Sequence, residues 1–129
     1  MALLLDTGIV VDLVNRVEAT TKRVHGVDSL YLSVVSQVEL EAGLFMDGEL
    51  DPVLRARRDA VLERVESLPF TEREVAAYAA IIAAMGFSRR LVVDRMIAAT
   101  ALAHGLTVAT LNPRDFRAIP GLSLEDWAR

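Results

Sequence analysis

The sequence contains no cysteine, a single lysine and only two histidines. The lack of cysteine excludes disulfide frameworks, zinc–thiolate sites and thiol catalysis. The lysine, Lys22, has no glycine-rich segment before it, and no two glycines are spaced two residues apart. These absences exclude a Walker-type phosphate loop and a dinucleotide-binding loop. No G-x-S-x-G nucleophile elbow is present either.

Long apolar runs are also absent. The longest weakly polar stretch, residues 75–87, is too short to span a bilayer and is typical of a buried helix. The N-terminal apolar run ends at Asp6 and has no basic region before it, so we expect no signal peptide. We therefore expect a cytoplasmic protein that does not associate with membranes.

The composition favours a folded domain. Hydrophobic residues make up 53% of the 129 residues, which predicts a single domain over residues 1–129 with a substantial core. Acidic residues outnumber basic ones by 18 to 14, giving a net charge of −4. This balance argues against a protein that coats nucleic acid through bulk positive charge, but it leaves room for a local basic groove.

Short apolar runs alternate with helical patterns along the chain. The runs at 3–5 and 106–110 are continuous, as expected for strands that are buried on both faces. The pattern therefore predicts an α/β fold with a central, mainly parallel sheet flanked by helices. Further strands are predicted at 30–32 and 122–124, with a connector or short strand at 68–70. Helices are predicted at 9–17, 36–45 (ended by Asp47-Gly48), 51–67, 71–85 and 94–104.

Polar residues with metal-ligating oxygens follow two of these strands. Asp6 comes directly after the first strand, and Asn112 and Asp115 follow the strand at 106–110. The carboxyl ends of strands are where α/β sheets bind ligands. Each position also has a structural alternative, since Asp6 could cap a helix and Asn-Pro-x-Asp could simply form a turn.

Two further carboxylates lie at predicted helix starts. Glu39 is at the N3 position of a Ser-x-x-Glu capping box that would begin at Ser36. Asp94 lies between two apolar segments, and its alternative role is a helix N-cap. If these carboxylates converge, they repel one another, and a divalent cation such as Mg²⁺ or Mn²⁺ would resolve the conflict. Such a cation could serve phosphoryl chemistry.

Five segments together carry a resemblance to a known family. They are Leu-Leu-Asp-Thr-Gly-Ile-Val at 4–10, the segment 33–43 with its Glu-Leu-Glu-Ala-Gly core, Asp-Arg-Met-Ile-Ala-Ala-Thr-Ala-Leu at 94–102, Val-Ala-Thr-Leu-Asn-Pro-Arg-Asp-Phe at 108–116, and Pro-Gly-Leu-x-Leu-Glu-Asp-Trp at 120–127. In this order they resemble PIN-domain proteins, specifically the VapC-type toxins of bacterial toxin–antitoxin pairs. The segments span the chain from end to end.

The resemblance implies a PIN-like fold and a Mg²⁺-dependent endoribonuclease, with Mn²⁺ as a substitute. It places Asp6, Glu39 and Asp94 at the family's three main acidic positions, with Asp6 and Asp94 holding the metal. The fourth acidic position falls on either Asn112 or Asp115, and that residue and Glu39 would orient water or a second ion. Gly8 stands where the family usually has asparagine.

The resemblance also suggests how RNA and proteins would bind. Thr110 would hydrogen-bond a phosphate or a ligating carboxylate. Four arginines near the site could line an RNA groove, although each could instead face solvent or form an ion pair. A small antitoxin that inserts near the acidic site and a second copy in a homodimer are the expected partners. The arginines are Arg89, Arg90, Arg95 and Arg114.

Two rival functions follow from the same residues. A PIN fold whose catalysis has weakened, acting as a partner-binding module, would explain Gly8 and Asn112. A phosphatase or phospho-acceptor receiver is disfavoured, because the phosphatase form needs an aspartate where Gly8 stands. A receiver needs a lysine after a late strand, and Lys22 comes too early.

Overall fold

The structure is a computed structural model that describes residues 1–46 and 48–129, so the predicted helix break at Asp47 lies outside it. In chain order the described strands are β1 (Ala2–Leu5), β2 (Ser29–Ser33), β3 (Phe45–Met46), β4 (Glu49–Leu50), β5 (Glu66–Leu68), β6 (Thr107–Thr110) and β7 (Ser123–Asp126). The helices are α1 (Thr7–Val14), α2 (Glu18–Val24), α3 (Val34–Gly43), α4 (Pro52–Leu62), α5 (Glu72–Met85) and α6 (Val92–His104), with a 3₁₀ turn at Pro113–Asp115.

The described strands form one five-stranded sheet and a separate two-stranded hairpin. The sheet has the order β5-β2-β1-β6-β7, and all of its neighbouring strands are parallel. This confirms the predicted α/β fold with a parallel sheet. No helix in the described part of the chain is long and apolar enough to cross a membrane.

The central strand β1 is buried on both faces. Leu3, Leu4 and Leu5 are all fully buried, because helices cover the sheet on each side. Leu3 and Leu5 pack into a core with α1, whereas Leu4 packs into a second core with α6. Continuous apolarity therefore identified the strand correctly.

The sheet register brings the ends of β1 and β6 together. Leu5 pairs with Ala109. The residues that follow them, Asp6 and Thr110, therefore lie side by side at the carboxyl edge of the sheet. The β2 strand runs parallel to β1 on its other side and ends at Ser33. The starts of α1 and α3 thus lie at the same edge as the end of β6.

Several predicted boundaries are wrong. The helix predicted over 9–17 extends too far, since α1 ends at Val14 and Arg16 adopts a left-handed φ of 58°, and α2 was not predicted. The helix predicted to reach Phe45 ends at Gly43, and Phe45 pairs with Leu50 in the hairpin. The predicted helix 51–67 ends at Leu62, because Glu66–Leu68 joins the sheet as its edge strand β5.

Candidate active site

Asp6 connects β1 to α1, and its side chain is held by α1 and by the end of β6. Its Oδ1 accepts a hydrogen bond from Thr7 N at 2.8 Å, so Asp6 is the N-cap of α1. Its Oδ2 accepts a hydrogen bond from Thr110 Oγ1 at 2.7 Å. Each oxygen keeps a second lone pair, so capping the helix leaves Asp6 able to bind a cation.

Thr110 and Asn112 extend this network to Asp115. The Thr110 hydroxyl accepts a hydrogen bond from Asn112 N at 2.9 Å while donating to Asp6. Asn112 Nδ2 in turn donates to Asp115 Oδ2 at 2.7 Å. Asn112 is exposed, whereas the side chain of Asp115 is only 11% exposed. The amide therefore supports the carboxylate, and both lie at the same edge of the sheet.

Asp94 lies in the first turn of α6. Leu91 occupies the N-cap position of that helix, so the alternative role of Asp94 as an N-cap is wrong. The pKa of Asp94 is raised to about 6, mainly by burial and then by the nearby charges of Asp6, Asp115 and Glu39, against the opposing effect of Arg90. Asp94 is therefore a carboxylate in a partly dehydrated, negatively charged surrounding.

Glu39 is not part of a capping box. Ser33, rather than Ser36, is the N-cap of α3, and its Oγ accepts a hydrogen bond from Val35 N at 3.1 Å. The predicted box at Ser36 is therefore wrong, and Glu39 is free for another role. Glu39 is exposed, and its Oε1 accepts a hydrogen bond from Thr7 Oγ1 at 2.5 Å.

The four carboxylates influence one another electrostatically. Burial raises the pKa of Asp6, hydrogen bonds from Thr110 and Thr7 partly counteract it, and the charges of Glu39 and Asp115 add to it. Such a cluster of oxygen ligands suits a hard divalent cation, which would offset both the dehydration and the repulsion. Within residues 1–46 and 48–129, however, no three acidic or histidine side chains form a ready-made metal cage.

The arginines near the site fall into two groups. Arg89 and Arg114 are exposed, and Arg90 is also exposed while its guanidinium donates to Asp115 Oδ1 at 3.2 Å. Arg95 differs, because it is 5% exposed and donates to the Gly86 carbonyl at 2.7 Å. The prediction that Arg95 lines an RNA groove is therefore wrong, since this side chain joins α6 to the end of α5.

Sequence reasoning missed the role of Thr7 and misread that of Ser36. Thr7 Oγ1 contacts Glu39, and it lies 2.8 Å from Ser36 Oγ. Ser36 was identified only as a cap. The available signals were the position of Thr7 directly after Asp6 and of Ser36 one helical turn before Glu39, but neither indicates a contact between the two segments.

Residues 3–122 match the sequence pattern of the PIN domain family. The chain belongs to the PIN-domain family. It is 35% identical to Ribonuclease VapC1 of Rickettsia felis, covering 96% of this chain and 95% of that protein. It is 33% identical to Ribonuclease VapC of Rickettsia bellii, with the same coverage. The PIN fold of this chain also matches a crystal structure of DNA-bound VapBC from Salmonella typhimurium with a TM-score of 0.84, at 27% identity and 99% coverage of both chains.

Proposed function

We propose that this PIN-domain chain is the ribonuclease toxin of a VapBC-type toxin–antitoxin pair and hydrolyses RNA phosphodiester bonds with the help of a divalent cation. The observation that carries the proposal is the group of four carboxylates, from four separate segments, at one edge of the sheet. Relatives that are named ribonucleases and match over nearly their whole length support the RNA substrate.

Asp6 and Asp94 would hold Mg²⁺, or Mn²⁺ in its place. A cation bound there polarises the phosphoryl group, activates water and stabilises the leaving oxygen. Thr110 keeps Asp6 in place by donating to its Oδ2. Of the two partners expected for Thr110, a phosphate or a ligating carboxylate, it therefore contacts the carboxylate. Asp115 fills the fourth acidic position, and Asn112 orients it through the bond to Oδ2.

Glu39 would orient the attacking water. It is the most solvent-exposed of the four carboxylates, so it can reach a water molecule on the RNA side of the cluster. The exposed arginines Arg89, Arg90 and Arg114 would bind the RNA backbone, because a guanidinium contacts phosphate oxygens through paired hydrogen bonds. They supply local positive charge to a chain whose net charge is −4.

We further propose a small antitoxin and a second copy of the chain as protein partners. A crystal structure of DNA-bound VapBC among the structural neighbours supports the antitoxin. An arginine from it could pair with the carboxylates and exclude the cation. Exposed apolar side chains, which are Val38 on α3, Val75 on α5 and Phe87 just after α5, support a dimer because apolar patches often mark interfaces.

The proposal is tested by incubating the purified chain with RNA in Mg²⁺, in Mn²⁺ and in EDTA. We expect cleavage only with the cations, and a loss of about 100-fold or more in Asp6→Asn and Asp94→Asn, the scale at which removing a catalytic group lowers rates. Glu39→Gln should also lose activity. Glu41→Gln is the matched control, because Glu41 lies on the same helix but pairs with Arg58.

One rival function has a specific observation behind it. The lack of a ready-made cage among the described residues favours a partner-binding module with weakened catalysis. Intact RNA in every condition, together with stable binding of the antitoxin, would support that module and contradict the ribonuclease. Undiminished cleavage by Asp94→Asn would contradict the assignment of the site.

A further inference from the structure

Thr7 contacts two carboxylates that come from different parts of the chain. Its backbone N donates to Asp6 Oδ1 at 2.8 Å, and its Oγ1 lies 2.5 Å from Glu39 Oε1 on α3. Asp6 and Glu39 are therefore joined through a single residue. Because Thr7 is at the first position of α1, its backbone is fixed by the helix.

Ser36 determines which way these hydroxyl groups point. Ser36 Oγ lies 2.8 Å from Thr7 Oγ1, and Ser36 is fully buried. Thr7 has one hydroxyl proton, and an ionised carboxylate can only accept hydrogen bonds. Thr7 therefore donates to Glu39 and accepts from Ser36, which is shielded from water and must find its partner within the protein.

Glu39 needs such a support because it is exposed. A free glutamate side chain in water samples many rotamers, and fixing it costs conformational entropy. The bond from Thr7 to its charged carboxylate is of the stronger, charge-assisted kind. Glu41, two residues further along α3, contacts Arg58 on α4 instead and lacks this link to Asp6.

We propose that Thr7 is a positioning residue, held by Ser36, that orients Glu39 towards Asp6 and so prepares the acidic cluster for a divalent cation. This inference rests on the proposed function of the cluster. Groups that orient a metal ligand affect metal affinity although they do not touch the metal, because the ligand then needs less rearrangement.

The test measures Mn²⁺ affinity by isothermal titration calorimetry of the whole chain without RNA. Thr7→Val removes the hydroxyl at nearly constant volume and should weaken binding about 10-fold, the lower end for loss of such a support. Thr7→Ser keeps the hydroxyl and should restore the affinity to within about twofold. Thr21→Val is the matched control, because Thr21 lies on α2 and its Oγ1 donates to the Val17 carbonyl.

A double-mutant cycle separates positioning from a general effect on the fold. In a Glu39→Gln background, Thr7→Val should cause no further loss, because the carboxylate that Thr7 orients is already gone. Ser36→Ala should weaken Mn²⁺ binding in the same way but by a smaller factor. Circular dichroism checks that each variant folds, and Ser36→Ala replaces Thr7→Val in the test if Thr7→Val does not fold. An unchanged affinity in Thr7→Val, or an equal loss with and without Glu39, would overturn the inference.

RNA cleavage measured on the same samples keeps the two proposals distinct. Normal cleavage by the unaltered chain without coupling between Thr7 and Glu39 would overturn the positioning role and leave the ribonuclease proposal standing. Coupling in Mn²⁺ affinity without any RNA cleavage would support the positioning role and contradict the ribonuclease. Failure of the unaltered chain to bind Mn²⁺ would overturn both.

Discussion

Asp94 lies in the first turn of α6 with three other carboxylates around it. Its pKa rises from 3.8 to about 6 on folding, mainly because of burial and then because of the charges nearby. A group whose pKa is higher in the folded state binds its proton more tightly there. The resulting stability is fully present below pH 3.8 and is lost as the pH rises through about 6. At neutral pH the metal-free protein therefore contains an unfavourable charge.

We predict that Asp94→Asn stabilises the metal-free protein at pH 7.5 by about 1 kcal/mol, a reduced value because part of the side chain reaches solvent. Near pH 4 the two proteins should have similar free energies of unfolding, because Asp94 is then largely protonated in the folded state. Urea unfolding in EDTA at both pH values measures the difference. An equal difference at the two values would contradict the electrostatic explanation.

At the scale of elements, the start of α5 is fixed by hydrogen bonds between Thr71, Arg73 and Glu74. Thr71 Oγ1 accepts from Arg73 N at 3.3 Å, and Glu74 Oε1 accepts from Thr71 N at 2.8 Å. Together these hydrogen bonds form a complete capping box. Burial raises the pKa of Glu74, but the hydrogen bonds from Thr71 and the charges of His104 and Arg73 outweigh it, so the net shift is downward.

We predict that Thr71→Ala lowers the free energy of unfolding by about 1 kcal/mol, the usual cost of losing an N-cap. The loss should appear as a lower urea midpoint with an unchanged slope, since the fold stays the same. Thr21→Val provides the comparison, because it removes a hydroxyl within α2 without removing a cap. If Thr71→Ala costs no more than this variant, the box does not stabilise α5.

The elements that sequence predicted correctly are those with local signals. Buried strands such as β1 are apolar throughout, and α5 has a cap at Thr71 and a stop at Gly86, whose φ is +80°. The end of α1 was missed, because Arg16 is not a residue type that predicts a left-handed turn, and the short helix α2 was not predicted. The start of α3 was also missed. Two serines could cap that helix, and Ser33 does so at the end of β2.

The acidic residues that the structure brings together were predicted, but their contacts were predicted only in part. Asp6 could be recognised because it follows a buried strand. A carboxylate was one of two expected partners of Thr110, and the structure shows that Thr110 contacts Asp6, 104 residues away in the sequence. Thr7 and Glu39 are 32 residues apart, and only the parallel pairing of β1 and β2 brings α1 beside α3. Arg95 was misassigned because its spacing does not reveal that α6 turns it towards Gly86.

For the molecule as a whole, the acidic composition is compatible with the proposed RNA substrate. The net charge is −4, and one bound divalent cation would halve it at the point where phosphate must approach. Arg90 then adds positive charge beside Asp115, and Arg89 and Arg114 are exposed as well. This arrangement suits a protein that binds RNA at one place better than one that coats it.

The central claim is that the carboxylates at the carboxyl edge of the sheet hold a divalent cation. Anomalous scattering from crystals of the chain grown with Mn²⁺ tests it most directly, because the peak locates the ion without reference to activity. The account predicts a peak in contact with Asp6 and Asp94, which disappears in Asp94→Asn while the protein remains folded. No peak at these residues under saturating Mn²⁺, or an unaffected peak in Asp94→Asn, would contradict it.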